Sequence, residues 1–156
     1  MKISDFLCVN AISADLKATT KEEAIEELVN CLISAGVLEK KVKGKLIEIL
    51  LAREALGSTA IGQGIAIPHG KCDFVTTLTA GLGISKKGIN FDSLDGEPAH
   101  IFFLLVAPID SAGPHLKALA RISRLLKDRF FRDSLNAAKA TKTILDLVAQ
   151  EDARAL

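Results

Sequence analysis

One histidine of this chain stands where an imidazole can take part in chemistry. His69 follows a short apolar stretch (residues 65–67) and Pro68, and Gly70 comes directly after it. Because Pro68 has no backbone N–H, strand pairing is interrupted there, and we expect His69 to emerge at a strand end. Gly70 is expected to let the backbone turn sharply and to let a bulky group approach the imidazole.

The residues near His69 in the sequence favour an anion over a cation. An imidazole in such a place can act as a base, a metal ligand or a nucleophile. The chain offers the hydroxyls of Ser58 and Thr59, the guanidinium of Arg53, and backbone N–H groups that the glycines at 57, 62 and 64 allow to converge. Such donors hold an oxyanion or a phosphate. From the residues alone, a structural histidine at a strand end stays equally open.

Helical patterns flank this segment on both sides. Thr20 and Glu23 form the pattern of a capping box, apolar residues recur at helical spacing after it, and Gly36 predicts the end of that helix. A second helix is predicted over residues 40–55 and ended by Gly57. After the central segment, the spacing of apolar residues predicts helices over residues 114–127, 129–138 and 141–150.

The middle of the chain has the composition of β-strands. Strands are predicted over residues 65–67, 77–85 and 101–107, and the last of these is apolar throughout, as in a strand that is buried on both faces. Lys86, Lys87 and Gly88 predict a turn. Helices, then strands, then helices indicate a single α/β domain over residues 1–156, with a mixed β-sheet flanked by helices on both faces.

The segment from Arg53 to Gly70 resembles a known signature. Its elements read, in order, Arg53-Glu54, Gly57-Ser58-Thr59, Gly62-Gln63-Gly64 and Ile65-Ala66-Ile67-Pro68-His69-Gly70. This string is similar to the phosphorylation-site signature of the type 2 IIA domains of the bacterial phosphotransferase system (PTS), the fructose–mannitol family. It is most similar to the nitrogen-regulatory branch, IIA-Ntr. Residues 89–98 and 115–119 also resemble this family, and the resemblance spans about residues 21–148.

The resemblance implies a phosphocarrier, which is a phosphotransferase component that serves as its own substrate. His69 would accept a phosphoryl group from HPr or from the nitrogen-branch relative of HPr. The family's second histidine falls on His115, and its active-site arginine falls on Arg53. A guanidinium can hold the charge that spreads over the oxygens of a transferred phosphoryl group, in agreement with this assignment.

Three further residues are expected to contribute to phosphate binding, namely Ser58, Thr59 and Gly70. We expect no metal ion and no organic cofactor, because Arg53 and the neighbouring donors can supply the positive charge that magnesium supplies in kinases. The spacing of His69 and Cys72 is a weak metal pattern, since two candidate ligands are too few.

Two uses of this chemistry are open to a IIA-like chain. In a regulatory protein, phosphorylation decides which transporter or kinase is bound. In a sugar-transport system, the phosphoryl group passes to a IIB component. Because the sequence shows no attached IIB or membrane domain and resembles IIA-Ntr most, we expect the regulatory use. A metal-dependent hydrolase built on His69 and His115 is a third class, but it would need carboxylate ligands that this segment lacks.

Structural explanations exist for the other candidates. Taken by pattern alone, His115 shares an apolar helical stripe and would be a partly buried capping residue. Arg53, at a helix end, would be a solvated charge that interacts favourably with the helix dipole. His100 precedes a buried strand, and we assign it a structural role.

Composition narrows the classes of function. Of the 156 residues, 49% are hydrophobic and 25% are charged, with a net charge of +1. This balance is typical of a globular protein and gives no broad positive field for nucleic acid or a membrane surface. The longest apolar run, residues 101–108, is too short to insert into a membrane. The three widely spaced cysteines indicate free thiols, and the N-terminus lacks a secretory pattern, so we expect a cytoplasmic protein.

Overall fold

The computed structural model describes residues 1–155, in which five consecutive strands lie between two groups of helices and one further strand precedes them all. The strands are β1 (Leu7–Ser13), β2 (Ala60–Gly62), β3 (Ile65–Ala66), β4 (His69–Cys72), β5 (Thr79–Ile89) and β6 (Ala99–Pro108). The α-helices are α1 (Lys21–Ser34), α2 (Lys43–Ala55), α3 (Ala112–Leu125), α4 (Arg129–Ala137) and α5 (Thr141–Arg154), and short 3-10 turns cover Ile3–Asp5 and Lys40–Val42. Within residues 1–155, no helix combines the length and the apolar character needed to cross a membrane.

Strand β6 is the centre of a six-stranded mixed sheet. It pairs antiparallel with β5 on one side and parallel with β3 and β4 on the other. Beyond these, β1 lies parallel beside β5, and β2 lies antiparallel beside β3, which gives the order β1-β5-β6-β3-β2. Every residue from Ile101 to Ala107 is fully buried, which confirms the prediction of a strand covered on both faces.

The two faces of the sheet carry separate hydrophobic cores, because side chains alternate along a strand. Phe103 and Leu105 of β6 pack with helices α3, α4 and α5. Phe102 and Leu104 point to the other face and pack with α1 and α2. The predicted α/β domain with helices on both faces of a mixed sheet is therefore confirmed.

The ends of helix α1 follow the sequence signals. Thr20 is the N-cap, and its side-chain oxygen accepts a hydrogen bond from the backbone N–H of Glu23 at 3.2 Å. The Glu23 carboxylate accepts in return from the backbone N–H of Thr19 at 2.9 Å, one residue earlier than a standard capping box. After the C-cap Ala35, Gly36 takes a φ of +81°, as a glycine stop requires.

The predicted turn at residues 86–88 is wrong, because β5 continues through it to Ile89. The pairing with β6 shifts register between Ile84 and Ile89. Gly88 has a φ of +85°, and its backbone N–H donates to Ser85 Oγ at 3.0 Å. The glycine therefore forms an irregularity within a long strand and does not end the strand.

The segment that carries His69 runs along one side of β6. Strand β3 pairs with Ile101 and Phe102, the pairing stops at Pro68, and β4 resumes it opposite Leu105. Pro68 interrupts the sheet as predicted, but His69 is the first residue of the next strand and does not lead into a loop. Pairing with β6 fixes the backbone of His69, and helix α2 packs against the same strand.

Candidate functional site

A pocket of about 420 Å³ opens where α2, β4 and the first half of α3 meet. Its lining combines apolar side chains with two histidines and two cations: Ile49, Arg53, His69, Gly70, Lys71, Ala112, His115, Leu116 and Leu119. Within residues 1–155, no carboxylate lines this pocket. A concave apolar surface with positive charge and no acidic group is suited to holding an anion.

The imidazole of His69 is half-buried, and its tautomer is set by the backbone. Nδ1 lies 2.7 Å from the carbonyl oxygen of Ile67. Because a carbonyl oxygen only accepts hydrogen bonds, Nδ1 carries the proton and Nε2 carries the lone pair. Burial lowers the pKa of His69, and the charge of Arg53 lowers it further, whereas the bond to Ile67 and the charge of Glu54 oppose this effect. The ring is therefore neutral near pH 7, with a nucleophilic nitrogen available.

His115 lies next to His69, although 46 residues separate the two in the sequence. The ring centroids are 5.4 Å apart and the planes meet at 83°. His115 is the fourth residue of α3 and is only 5% exposed. Burial, followed by the positive charges of His69 and Lys71, lowers the pKa of His115 to about 4, so this ring is also neutral at pH 7.

The proton of neutral His115 belongs on Nε2. In the described part of the chain, Nδ1 is buried and has no hydrogen-bond partner. Nε2 is not among the buried atoms that lack a partner. Nδ1 has no partner in either tautomer, but a proton on Nδ1 would be a buried donor that nothing can accept, whereas a proton on Nε2 can be donated to a group in the pocket. We therefore assign an Nε2–H group to His115, available to donate a hydrogen bond to an anion in the pocket.

Arg53 enters the pocket from the last turn of α2. Its Nη1 donates to the backbone carbonyl of Gly57 at 2.8 Å, which holds one side of the guanidinium fork. No carboxylate among residues 1–155 forms an ion pair with it. The remaining N–H groups are therefore available for an oxyanion, with the geometry that a guanidinium offers to phosphate.

A buried carboxylate next to this arginine organises the loop that follows α2. Glu54 accepts from the backbone N–H of Thr59 at 3.2 Å and from the Thr59 hydroxyl. Lys21 Nζ lies 3.1 Å from Glu54 and 3.0 Å from Asp92, so it joins the loop to the start of α1. This network fixes the loop that contains Gly57, whose carbonyl in turn holds the arginine.

The structure does not bring Ser58 and Thr59 to the pocket, although the sequence suggested both as phosphate-binding residues. The Ser58 hydroxyl donates to the carbonyl of Phe91 and accepts from the backbone N–H of Ala60 at 3.0 Å. Thr59 is buried, and its hydroxyl donates to Glu54. Both hydroxyls are occupied by hydrogen bonds that shape the loop.

Gly70 lines the pocket, but for a reason other than the predicted turn. It lies inside strand β4, where a Cβ atom would come within 3.1 Å of Ile49 Cγ2 and 3.4 Å of Leu50 Cδ2. The absence of a side chain therefore lets helix α2 approach the sheet closely. Gly62 and Gly64 belong to the hairpin of β2 and β3 and do not line the pocket, so their backbone N–H groups do not converge on the imidazole as predicted.

Lys71 lines the pocket and was not singled out from the sequence. Along β4, His69 and Lys71 are partly or fully exposed, whereas Gly70 and Cys72 are buried. Side chains two residues apart in a strand share a face, so the placement of the histidine in a strand also fixes that of the lysine. A strand directly after Pro68 was not predicted, and it would have placed Lys71 on the same face as His69.

The arrangement has the parts that phosphoryl transfer needs. A neutral imidazole presents Nε2 as nucleophile, a second neutral imidazole presents a donor, and a guanidinium supplies fixed positive charge. Transfer of a phosphoryl group depends on placement of the reacting groups and on stabilisation of the charge on its oxygens. The apolar wall formed by Ile49, Leu116 and Leu119 helps to limit water at the site.

Comparison with known proteins points to the same chemistry. The model of the family described as "Phosphoenolpyruvate-dependent sugar phosphotransferase system, EIIA 2" matches residues 5–151. A nitrogen regulatory protein of Bradyrhizobium diazoefficiens is 38% identical over 155 residues, which cover 99% of each chain. The fructose-specific EIIABC component of Bacillus subtilis is 39% identical over 152 residues, 97% of this chain and 24% of that protein. The chain thus spans about a quarter of this larger relative.

A solved structure shares the fold over nearly its full length. The crystal structure of the nitrogen regulatory protein IIA-Ntr from Neisseria meningitidis superimposes with a TM-score of 0.83 at 29% identity, and the match covers 94% of this chain and 98% of that one. The relatives thus include both nitrogen-regulatory and fructose-specific proteins, as the sequence suggested. Since the family model covers almost the whole chain, the protein belongs to the type 2 EIIA family of the phosphoenolpyruvate-dependent sugar phosphotransferase system.

Proposed function

We propose that this chain is a phosphohistidine carrier in which His69 Nε2 accepts the phosphoryl group. The observation that supports this most directly is the hydrogen bond from Nδ1 to the Ile67 carbonyl, because it leaves the lone pair on the nitrogen that can face a donor in the pocket. The donor is HPr or its nitrogen-branch relative, which itself carries phosphate on a histidine.

The transfer step exchanges one nitrogen–phosphorus bond for another. Nε2 of His69 attacks phosphorus. The bond between phosphorus and the donor's imidazole nitrogen breaks, and that nitrogen recovers its lone pair. No proton has to move. Positive charge develops on the His69 ring, and the Ile67 carbonyl stabilises it through the Nδ1–H bond. Because the bond that forms and the bond that breaks are both nitrogen–phosphorus bonds, the step is readily reversible, as a carrier requires.

Two neighbouring groups stabilise the phosphoryl oxygens in this proposal. Arg53 offers the free N–H groups of its fork, and His115 offers Nε2–H. A neutral donor at the second position suits a carrier, because a protonated His115 would repel the positive charge that forms on His69. Neither a metal ion nor an organic cofactor enters the step. We expect it to take place in the cytoplasm, where its donor is found.

The use of the phosphate is regulatory in our proposal. The match over 99% of the length of a nitrogen regulatory protein favours this role, in which phosphorylation changes the affinity for a transporter or a kinase. A second candidate is transfer to a IIB component in sugar transport. The 39% identity to a fructose-specific EIIABC component, whose name joins A, B and C parts, favours that role.

Intact-mass analysis tests the carrier step. The chain is incubated with purified phosphorylated HPr, with and without excess chelator. We expect one added phosphate in both cases and none in a His69→Ala variant. His100→Ala is the matched control, because His100 Nδ1 also bonds a backbone carbonyl, that of Ser85 at 2.8 Å, but lies outside the pocket. Labelling of His69→Ala, or a strict need for a divalent ion, would count against the proposal.

The two uses are separated by adding an acceptor to the phosphorylated protein. A purified fructose-type IIB component should remain unlabelled within the lifetime of the phosphoprotein if the role is regulatory. Rapid and complete transfer to IIB would favour the sugar-transport role instead. Either outcome leaves the assignment of His69 intact, so the two questions are answered independently.

A further inference from the structure

The pocket holds a second cation that the phosphoryl-transfer chemistry described above does not use. Lys71 is the exposed third residue of β4 and shares a face of the strand with His69. Both side chains line the same pocket as His115 and Arg53. The lysine therefore enters from the sheet, whereas Arg53 enters from the end of helix α2.

The ammonium group of Lys71 has no interaction partner among the described residues. Within residues 1–155, it forms no ion pair with a carboxylate and no side-chain hydrogen bond. Several other lysines pair with carboxylates, for example Lys21 with Glu54 and Lys43 with Glu26. An unpaired cation beside a pocket that no carboxylate lines is placed to meet an anionic ligand.

Its charge already acts on the pocket before any phosphate arrives. The pKa of His115 is lowered first by burial, then by the charge of His69 and least by the positive charge of Lys71. Because Lys71 and His69 line the same pocket, this ammonium group also attracts a phosphoryl group that is held there. The flexible four-carbon stem of a lysine lets the ammonium follow the phosphate, whereas Arg53 is held by Gly57.

We propose that Lys71 is a phosphate-binding residue of the phosphorylated state, whose ammonium pairs with the phosphoryl oxygens on His69 and favours their dianionic form. This inference rests on the carrier function proposed above. The ion pair forms only after phosphoryl transfer, so Lys71 has no such partner while His69 is unphosphorylated. Lys71 thereby stabilises the phosphorylated form relative to the free protein.

Phosphorus NMR tests this role without any protein partner. Wild type, Lys71→Met and Lys71→Arg are phosphorylated chemically with phosphoramidate, in which the P–N bond to ammonia breaks as the bond to His69 forms. The phosphorus resonance is then followed against pH. We expect Lys71→Met to raise the pKa of the phosphoryl group by about 0.5, roughly a threefold change in its ionisation constant, as for a partly exposed ion pair. Lys71→Arg should keep the wild-type value.

A matched control and separate outcomes keep the test decisive. Lys142→Met removes an exposed lysine from α5, outside the pocket, and should leave the titration unchanged. If His69 is labelled and Lys71→Met titrates like wild type, the inference about Lys71 is overturned while the carrier function stands. If phosphoramidate leaves His69 unlabelled in the wild type while another residue is labelled, the carrier function fails and this inference fails with it.

Discussion

The buried imidazole of His115 should make the stability of this protein fall in mild acid. Its pKa is lowered to about 4 in the folded chain, mainly by burial, from an ordinary value of 6.5. Between these two values, the unfolded chain binds a proton that the folded chain does not. The free energy of unfolding therefore decreases as the pH falls from about 6.5 to about 4, and the contribution of His115 is constant below that range.

The size of the effect follows from the two pKa values. One pKa unit corresponds to about 1.4 kcal/mol, so the full difference is worth on the order of 3 kcal/mol. Between pH 7 and pH 5, the linkage relation gives a loss of about 2 kcal/mol from this single group. A loss of that size is a sizeable part of the stability of an ordinary domain.

A glutamine variant isolates this contribution. His115→Gln keeps a polar side chain of similar length but does not titrate, whereas the carboxylates that also respond to acid are common to both proteins. Urea unfolding is followed by far-UV circular dichroism, because the chain has no Trp or Tyr. We expect wild type to lose about 2 kcal/mol more than the variant between pH 7 and pH 5. Equal losses in the two proteins would refute the assignment of a buried neutral His115.

Three further predictions concern the same pocket. Gly70→Ala should destabilise the fold by about 1–3 kcal/mol in urea unfolding, because the new methyl group would press on Ile49 and displace α2; unchanged stability would contradict the packing argument. Arg53→Lys should slow phosphorylation of His69 roughly tenfold or more in quenched-flow labelling, since a single ammonium cannot reproduce the paired N–H donors of a guanidinium. Arg129→Ala is the control, because the Arg129 side chain is exposed and lies outside the pocket. Amide NMR of the free and phosphorylated forms should show shifts confined to the pocket, whereas large shifts in Lys21–Ser34 would indicate a conformational switch.

The predictable part of the fold was the part governed by local chemistry. The Thr20 cap, the Gly36 stop and the apolar spacing of the helices each depend on residues within a few positions of one another. Strand β6 was also recognisable, because burial on both faces requires an unbroken apolar run. These elements were predicted without any knowledge of which strands pair.

Non-local pairing explains the errors. Strand β1 was not predicted, since its burial comes from β5 and from helices of both hydrophobic cores, and Val9 and Asn10 stay exposed. Lys86 and Lys87 have the polarity of a turn, but they lie within β5 at the register shift between its pairs Ile84–Ile101 and Ile89–Ala99 with β6. No local property of these residues records the partner that fixes them.

The candidate site shows the same division. His69, His115 and Arg53 were named from the sequence through a family resemblance, and the structure places all three around one pocket. Ser58 and Thr59 are close to Arg53 in the sequence, but their hydroxyls donate to Phe91 and Glu54 and neither residue lines the pocket, so their role in phosphate binding stays a prediction. The role of Gly70 depends on the closeness of α2, a tertiary contact.

The most direct test of the account locates the phosphate on the enzymatically phosphorylated protein. Peptides are prepared at neutral to basic pH, where an N–P bond survives, and the modified residue is identified by mass spectrometry. Nitrogen-15 NMR of the intact phosphoprotein then identifies the bonded ring nitrogen. The hydrogen bond that holds Nδ1 against the Ile67 carbonyl predicts a single phosphate on Nε2 of His69. A phosphate on Nδ1, on His115 or on a serine hydroxyl would contradict the account.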